Sequence, residues 1–277
     1  MNPLTADATG HGPDRKLGSK TSTPPMGLTH GHTGGRRWRR LRTTTRSPTG
    51  TSTNSSAGKA PGARTRDGNP LDLDGVLRHL LGEGSGTCLE IGCGTGIHAI
   101  QVRELGWIPI GVDLSAGMLR HARGRLPVAQ ADAEYLPNPD DALPAVIAMM
   151  VHTDMPAYPR VLHEVARVLR PGGVFVHVGV HPCFCGGFAD RSDLDAIVIR
   201  PGYLNGHWTK ASWTDQGVRA KVGATHYPLP ELVHAFIDAG LQLERFAESG
   251  EPTPVVLAIK ARKSTEEGLD SLPADST

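Results

Sequence analysis

Between residues 71 and 262 the apolar positions switch between two periods. Leu71, Leu73, Val76, Leu77, Leu80 and Leu81 fall at helical spacing, with Asp72 or Asp74 near the start and Gly82 to Gly86 ending the run. Thr87 to Ile91 is short, apolar and β-branched, as a buried parallel strand would be. Ile97, Ala99, Ile100 and Leu105 return to the helical period. Ile108 to Val112 reads as a second strand, and Ser115 caps a helix holding Met118, Leu119 and Ala122. Val128 to Ala131 predicts a short third strand and Ala145 to Val151 an uninterrupted fourth. Val161, Leu162, Val165, Val168 and Leu169 form an amphipathic helix stopped by Arg170-Pro171-Gly172-Gly173, and Val174 to Val180 is the fifth strand. Pro230 to Ala239 predicts a helix with Leu232, Val233, Phe236 and Ile237 inward. Leu241 to Phe246 and Val255 to Ala261 then close the sheet as a hairpin. Strands alternating with helices imply an α/β domain built on a mostly parallel sheet.

Both ends, and one internal stretch, break this rhythm. Residues 1–69 are rich in Gly, Pro, Thr, Ser and Arg and nearly free of aliphatic side chains, so they cannot offset chain entropy and are expected to be disordered. No acidic residue falls between Arg15 and Arg66, and Arg36 to Arg42 is a dense basic cluster. Such a cluster suits nucleic acid or an acidic surface. A solvated tail, or an extension from a misplaced start codon, is the plainer reading. Residues 263–277 are polar and expected to fray. Residues 181–226 hold much of the domain's aromatic content without regular periodicity. Long irregular segments on a scaffold carry specificity, so this one is expected to form a substrate-binding insertion or lid.

Composition narrows the picture. The chain has 277 residues and a net charge of +1, so no global field selects a polyanion. Its longest apolar run is too short to span a bilayer, and the N-terminus has no apolar signal core. The four cysteines are Cys88, Cys93, Cys183 and Cys185, and the first two sit where a disulfide framework would not, so a reducing cytoplasm is expected.

The chemistry centres on Cys88 to Ile100, where the first strand runs into Gly92, Gly94 and Gly96 and then a helix. Such a turn lets a nucleotide-like ligand approach the main chain closely. Glu90 would repel a pyrophosphate at the strand's end and suits a ligand that brings a cation there. Asp113, at the end of the second strand, can accept from both hydroxyls of a ribose. Glu-Ile-Gly-Cys-Gly-Thr-Gly (residues 90–96) resembles motif I of the class I S-adenosylmethionine-dependent methyltransferases, and Gly-Val-Asp-Leu-Ser (111–115) resembles their next motif. An ordinary dinucleotide site would want glycine where the chain has Ile97. Val-Ala-Arg-Val-Leu-Arg-Pro-Gly-Gly-Val-Phe (165–175) resembles the run before strand five in small-molecule members, and the whole pattern is similar to the methyltransferase-domain-11 group. The resemblance covers residues 71–262. It implies a Rossmann-like seven-stranded sheet of order 3-2-1-4-5-7-6 with helices on both faces. It also implies S-adenosylmethionine as cofactor, along Glu90, Gly92, Cys93, Gly94, Gly96, Asp113 and Val151. By the same resemblance, Asp132 accepts from the adenine amine, Ala133 offers its backbone amide, and Leu136 packs near the ring.

Methyl transfer asks the protein to align a nucleophile and manage its proton. His152, after strand four, is the first candidate base, with Asp154 to orient it or bind a substrate cation. His181, after strand five, is the second; His207 and His226 are weaker. The run after strand four lacks the Asn/Asp-Pro-Pro-Tyr/Phe of amino-group nucleic-acid methyltransferases. Pro182-Cys183 lacks the motifs that would make Cys183 a nucleophile. Cys183 and Cys185 do not have structural-zinc spacing, and no metal is expected. The expected activity is transfer of methyl to an O or N nucleophile of a small organic molecule, with no membrane and no nucleic-acid partner. The alternatives are an RNA or protein methyltransferase recruited by the basic tail, and a non-catalytic cofactor-binding protein. Oligomeric state is not legible.

Overall fold

A computed structural model of the chain describes residues 71–193, 196–206, 208–210 and 223–265. The basic tail with Arg36 to Arg42, His207, Trp213 and the C-terminal residues from 266 onward lie outside them. The first described helix is α1 (Leu73–Leu81), and β1 (Thr87–Ile91), α2 (Ala99–Glu104), β2 (Ile108–Asp113), α3 (Ala116–Ala122), β3 (Val128–Gln130) and β4 (Leu143–Met149) follow it. A single 3-10 turn, His152–Asp154, leads into α4 (Tyr158–Val168) and β5 (Leu169–Val180). Four two-residue strands come next: β6 (Ala189–Asp190), β7 (Val198–Ile199), β8 (Trp208–Thr209) and β9 (Ala224–Thr225). Then come α5 (Leu229–Asp238), β10 (Leu241–Ser249) and β11 (Val256–Lys263).

Seven strands form one sheet in the order β3-β2-β1-β4-β5-β11-β10. Without the four short strands this is the expected 3-2-1-4-5-7-6. β1 to β5 run parallel, and β11 pairs antiparallel with both β5 and β10. Alternation sends each strand's side chains to two cores. Leu89, Val146, Phe175 and Ile259 face α4 and α5 through Val161, Leu162, Leu232 and Phe236. Cys88, Ile147, Val176 and Ala258 face α1 and α2 through Leu77, Leu80 and Val102.

The helical faces needed two corrections. α2 begins only at Ala99, so Ile97 sits in the turn, and the buried stripe is Ala99, Val102 and Leu105 while Ile97 and Ile100 are exposed. In α5 the inward stripe is Leu232, Ala235, Phe236 and Ala239, the i, i+3, i+4, i+7 row. Val233 and Ile237 lie one position round the helix, and Ile237 is exposed. β4 is also shifted, beginning and ending two residues earlier than its apolar run. The insertion is as irregular as expected, with only the β6-β7 and β8-β9 pairs among its described residues.

Candidate active site

The carboxyl ends of β1, β2 and β4 meet at one edge, where an open parallel sheet binds its ligand. Gly92 and Gly94 turn the chain in the left-handed region, at φ 63° and 53°. They differ in what surrounds them. A Cβ on Gly92 would stand 2.8 Å from Val151 Cγ1, so Val151 closes the turn from the β4 side. A Cβ on Gly94 would meet nothing nearer than Met118 Cε at 3.5 Å, so the cradle is open there. Asp113 fixes this geometry. Its Oδ2 accepts from the Gly94 amide at 2.8 Å and its Oδ1 from the Ser115 amide at 2.7 Å. Each oxygen keeps a second lone pair for a ligand hydroxyl.

Glu90 is 2% exposed and its Oε2 has no hydrogen-bond partner. Burial, and the Asp113 charge after it, push its carboxyl up to about 8. A buried acid with an empty lone pair beside an open main-chain cradle is what a ligand carrying an ammonium would satisfy, so the residues fit S-adenosylmethionine. Cys93 ties this turn to the neighbouring strand. Its amide donates to the Val112 carbonyl at 3.0 Å and its sulfur packs on Gly111, so it anchors the turn to β2. Burial, Glu90 and Asp113 push its thiol up to about 12, which keeps it inert. Asp132 is exposed; its Oδ1 accepts from the Glu134 amide at 3.0 Å, and Ala133 is buried behind it. The turn is held from below by Arg167 of α4, which the apolar pattern did not reveal. Arg167 donates to the carbonyls of Leu136 and Asn138, to Asp140 and to Glu164, while Glu164 accepts from the Leu136 amide.

After β4, Met150 adopts φ 58°, an uncommon left-handed conformation for this residue type. The bend lets Val151 cover Gly92 and buries His152 at 2% exposure. His152 lines a cavity of about 230 Å³ between the ends of β4 and β5 and the insertion, with Thr153, Val180, Phe188, Thr225 and Tyr227 among its other walls. Its ring meets His177 edge-on, with centroids 4.8 Å apart. His177 Nδ1 and the Tyr158 hydroxyl share a 2.7 Å hydrogen bond. Burial drives the His177 imidazole down to about 3, so it is neutral, and keeps the Tyr158 phenol protonated. This buried pair was not foreseen, because inside the run Val174 to Val180 His177 reads as one polar break in a strand.

His181 is placed elsewhere. Its Nε2 bonds Glu248 Oε1 at 2.7 Å, its Nδ1 accepts from the Cys183 amide at 3.1 Å, and it does not line the cavity. It pins the start of the insertion to β10. His226 Nε2 donates to the Tyr203 carbonyl at 2.7 Å, and the ring lines the cavity. Tyr227 ties the insertion's far end to the scaffold, donating to the Met155 and Pro156 carbonyls and accepting from the Tyr158 amide. Among the described residues no cluster of His, Cys, Asp and Glu could hold a metal ion.

Sheet order, glycine cradle and paired acids are those of a class I S-adenosylmethionine-dependent methyltransferase domain, and the family match over part of the chain implies S-adenosylmethionine as its cofactor. Residues 88–173 match the methyltransferase domain family. Over 102 residues the chain is 35% identical to a probable phthiotriol/phenolphthiotriol dimycocerosates methyltransferase 2 of Mycobacterium ulcerans, covering 34% of this chain and 40% of that protein. Over 101 residues it is 36% identical to the demethylmenaquinone methyltransferase of Symbiobacterium thermophilum, covering 32% and 40%. The chain thus spans less than half the length of these relatives. An S-adenosylmethionine-dependent methyltransferase from Mesorhizobium loti shares the fold at TM-score 0.59 and 24% identity, over 69% of this chain and all of that one. The cyclase SpnF shares it at TM-score 0.52 and 19% identity, over 70% and 80%.

Proposed function

We propose that the protein transfers the methyl group of S-adenosylmethionine to an oxygen or nitrogen nucleophile of a small organic molecule bound in the cavity under the insertion. The observation that carries this reading is adjacency. Val151 closes the cofactor turn at Gly92, and the next residue, His152, forms part of the cavity wall. The bound cofactor supplies an electrophilic methyl on a positive sulfur. The protein aligns the nucleophile, excludes water and takes its proton. His152 is the base we assign, with His177 and Tyr158 packed behind it to limit its movement. His181 and Glu248 serve as a clasp for the insertion. The described cavity walls carry no Lys or Arg, which speaks for a small molecule over a phosphate-bearing polymer. Among the described residues no helix is long and apolar enough to cross a membrane, and all four cysteines are free, which suits a reducing cytoplasm.

The test is methyl transfer from radiolabelled S-adenosylmethionine to a panel of small phenols, alcohols and amines, by the wild type and by His152→Gln. Transfer that falls at least a hundredfold in His152→Gln, with cofactor affinity unchanged, supports the assignment. Cofactor binding with no transfer to any panel member or cell extract would instead support a non-catalytic binding protein.

A further inference from the structure

The cavity's own chemistry limits what it can accept. About 230 Å³ is somewhat larger than the ~150 Å³ cavity known to take up benzene. One six-membered ring with one or two small substituents fits. Phe188, His226 and Tyr227 supply aromatic wall, with the Phe188 and His226 centroids 4.8 Å apart. No Asp, Glu, Lys or Arg lies among the described lining residues. An ammonium entering there would lose water without gaining a counter-charge, and a carboxylate could gain one only by protonating His152 or His226.

Thr225 adds a specific polar demand. It sits on β9, is 8% exposed, lines the cavity, and its Oγ1 has no hydrogen-bond partner within the protein. A buried hydroxyl without a partner is unfavourable. Water can satisfy it in the free protein, but a ligand that displaces the water must replace the bond. We propose that this cavity is the site of an uncharged, single-ring, hydroxyl-bearing acceptor of the phenol class, and that Thr225 anchors it by a hydrogen bond to a ring hydroxyl. This assignment of substrate class rests on the methyltransferase reading above.

The experiment measures binding of four probes of matched size to the full chain by ligand-observed NMR at pH 7, with and without S-adenosylhomocysteine. The probes are 4-methylphenol, toluene, benzoate and benzylammonium. 4-Methylphenol should bind about tenfold more tightly than toluene, the value of one hydrogen bond, and at least tenfold more tightly than either ion. Thr225→Val should erase the preference over toluene while toluene itself binds as before. Thr225→Ser, which keeps the hydroxyl, should retain the preference, so a fold defect cannot mimic the result. The proposal is overturned if no probe binds the wild type, if either ion binds as well as the phenol, or if Thr225→Val leaves the preference intact. Because binding is read without turnover, probe selectivity with no methyl transfer to any phenol would sink the methyltransferase reading and leave the cavity assignment standing.

Discussion

Glu90 makes the cofactor site a proton-linked one. It is nearly fully buried, and its carboxyl is pushed from the ordinary 4.5 to about 8, first by burial and then by Asp113. At pH 7 about nine in ten cofactor-free molecules therefore carry the proton. An ammonium placed beside Oε2 favours the carboxylate, so cofactor binding at pH 7 expels about one proton. The Glu90 contribution to affinity, read as the ratio of wild type to Glu90→Gln, should rise with pH, roughly 25-fold between pH 6.5 and 8.5. The neighbouring thiols do not confuse the signal, since burial and Glu90 itself hold Cys88 and Cys93 protonated through this range. Calorimetric titration with S-adenosylmethionine in phosphate and in Tris at one pH gives the proton count directly. Glu90→Gln provides the reference that subtracts the ligand's own titration. The variant should lose the proton release and, at pH 8.5, bind 10- to 100-fold more weakly, the value of a hydrogen bond to a charged group. Equal proton release in wild type and Glu90→Gln would refute the reasoning.

The same group shapes stability without cofactor. A carboxyl raised in the folded state favours the protonated form, so its stabilisation is full below about pH 4.5 and is lost as pH climbs to 8. The whole loss is ~4–5 kcal/mol. Wild-type protein should thus unfold at lower urea at pH 8.5 than at pH 6.5, and Glu90→Gln should flatten that slope.

Further outcomes test the supporting structure. His177, driven down to about 3 by burial, is neutral when folded and protonates on unfolding below about pH 6.5; its stabilisation is lost as pH falls from there, so His177→Gln should flatten the acid limb of urea unfolding between pH 4 and 6.5. Arg167→Met removes the donors that hold the Leu136 and Asn138 carbonyls, and should lower stability by about 1–3 kcal/mol in thermal unfolding and raise hydrogen exchange around residues 134–140. Asp113→Asn can accept at only one of the two amides now bonded to it, and should weaken S-adenosylmethionine binding more than tenfold by calorimetry while the fold persists in circular dichroism.

The sheet and its cofactor edge were legible because local chemistry determines them. Gly92, Gly94 and Gly96 announce a turn through backbone geometry alone, and Glu90 and Asp113 are anomalous as acids at the ends of apolar strands. A ribose role for Asp113 is expected from its position, but its part as the acceptor that shapes the Gly94 turn is not, since that bond joins the turn after β1 to the end of β2. Helix faces were less secure where the helix is short: of the four apolar residues at helical spacing, Ile97 falls in the turn before α2 and Ile100 on its exposed side.

The acceptor side resisted reading for a different reason. His152 and His181 look equivalent in sequence, each the first polar residue after an apolar strand. The β10 edge separates them, by bringing Glu248 within 2.7 Å of His181, while the bend at Met150 turns His152 into the cavity. Thr225 carries no local signal, since a threonine in an irregular segment is ordinary. It becomes informative only when folding buries its hydroxyl in a wall that offers it no partner. The proposed cofactor site centres on a contiguous strand, turn and helix to which Asp113 is added from β2, whereas the proposed acceptor site is assembled from β4, β5 and an insertion that meet only in the folded chain. Substitutions in residues 181–226 should therefore redirect the acceptor while leaving cofactor affinity intact, and a loss of S-adenosylmethionine binding in Thr225→Val would contradict that separation.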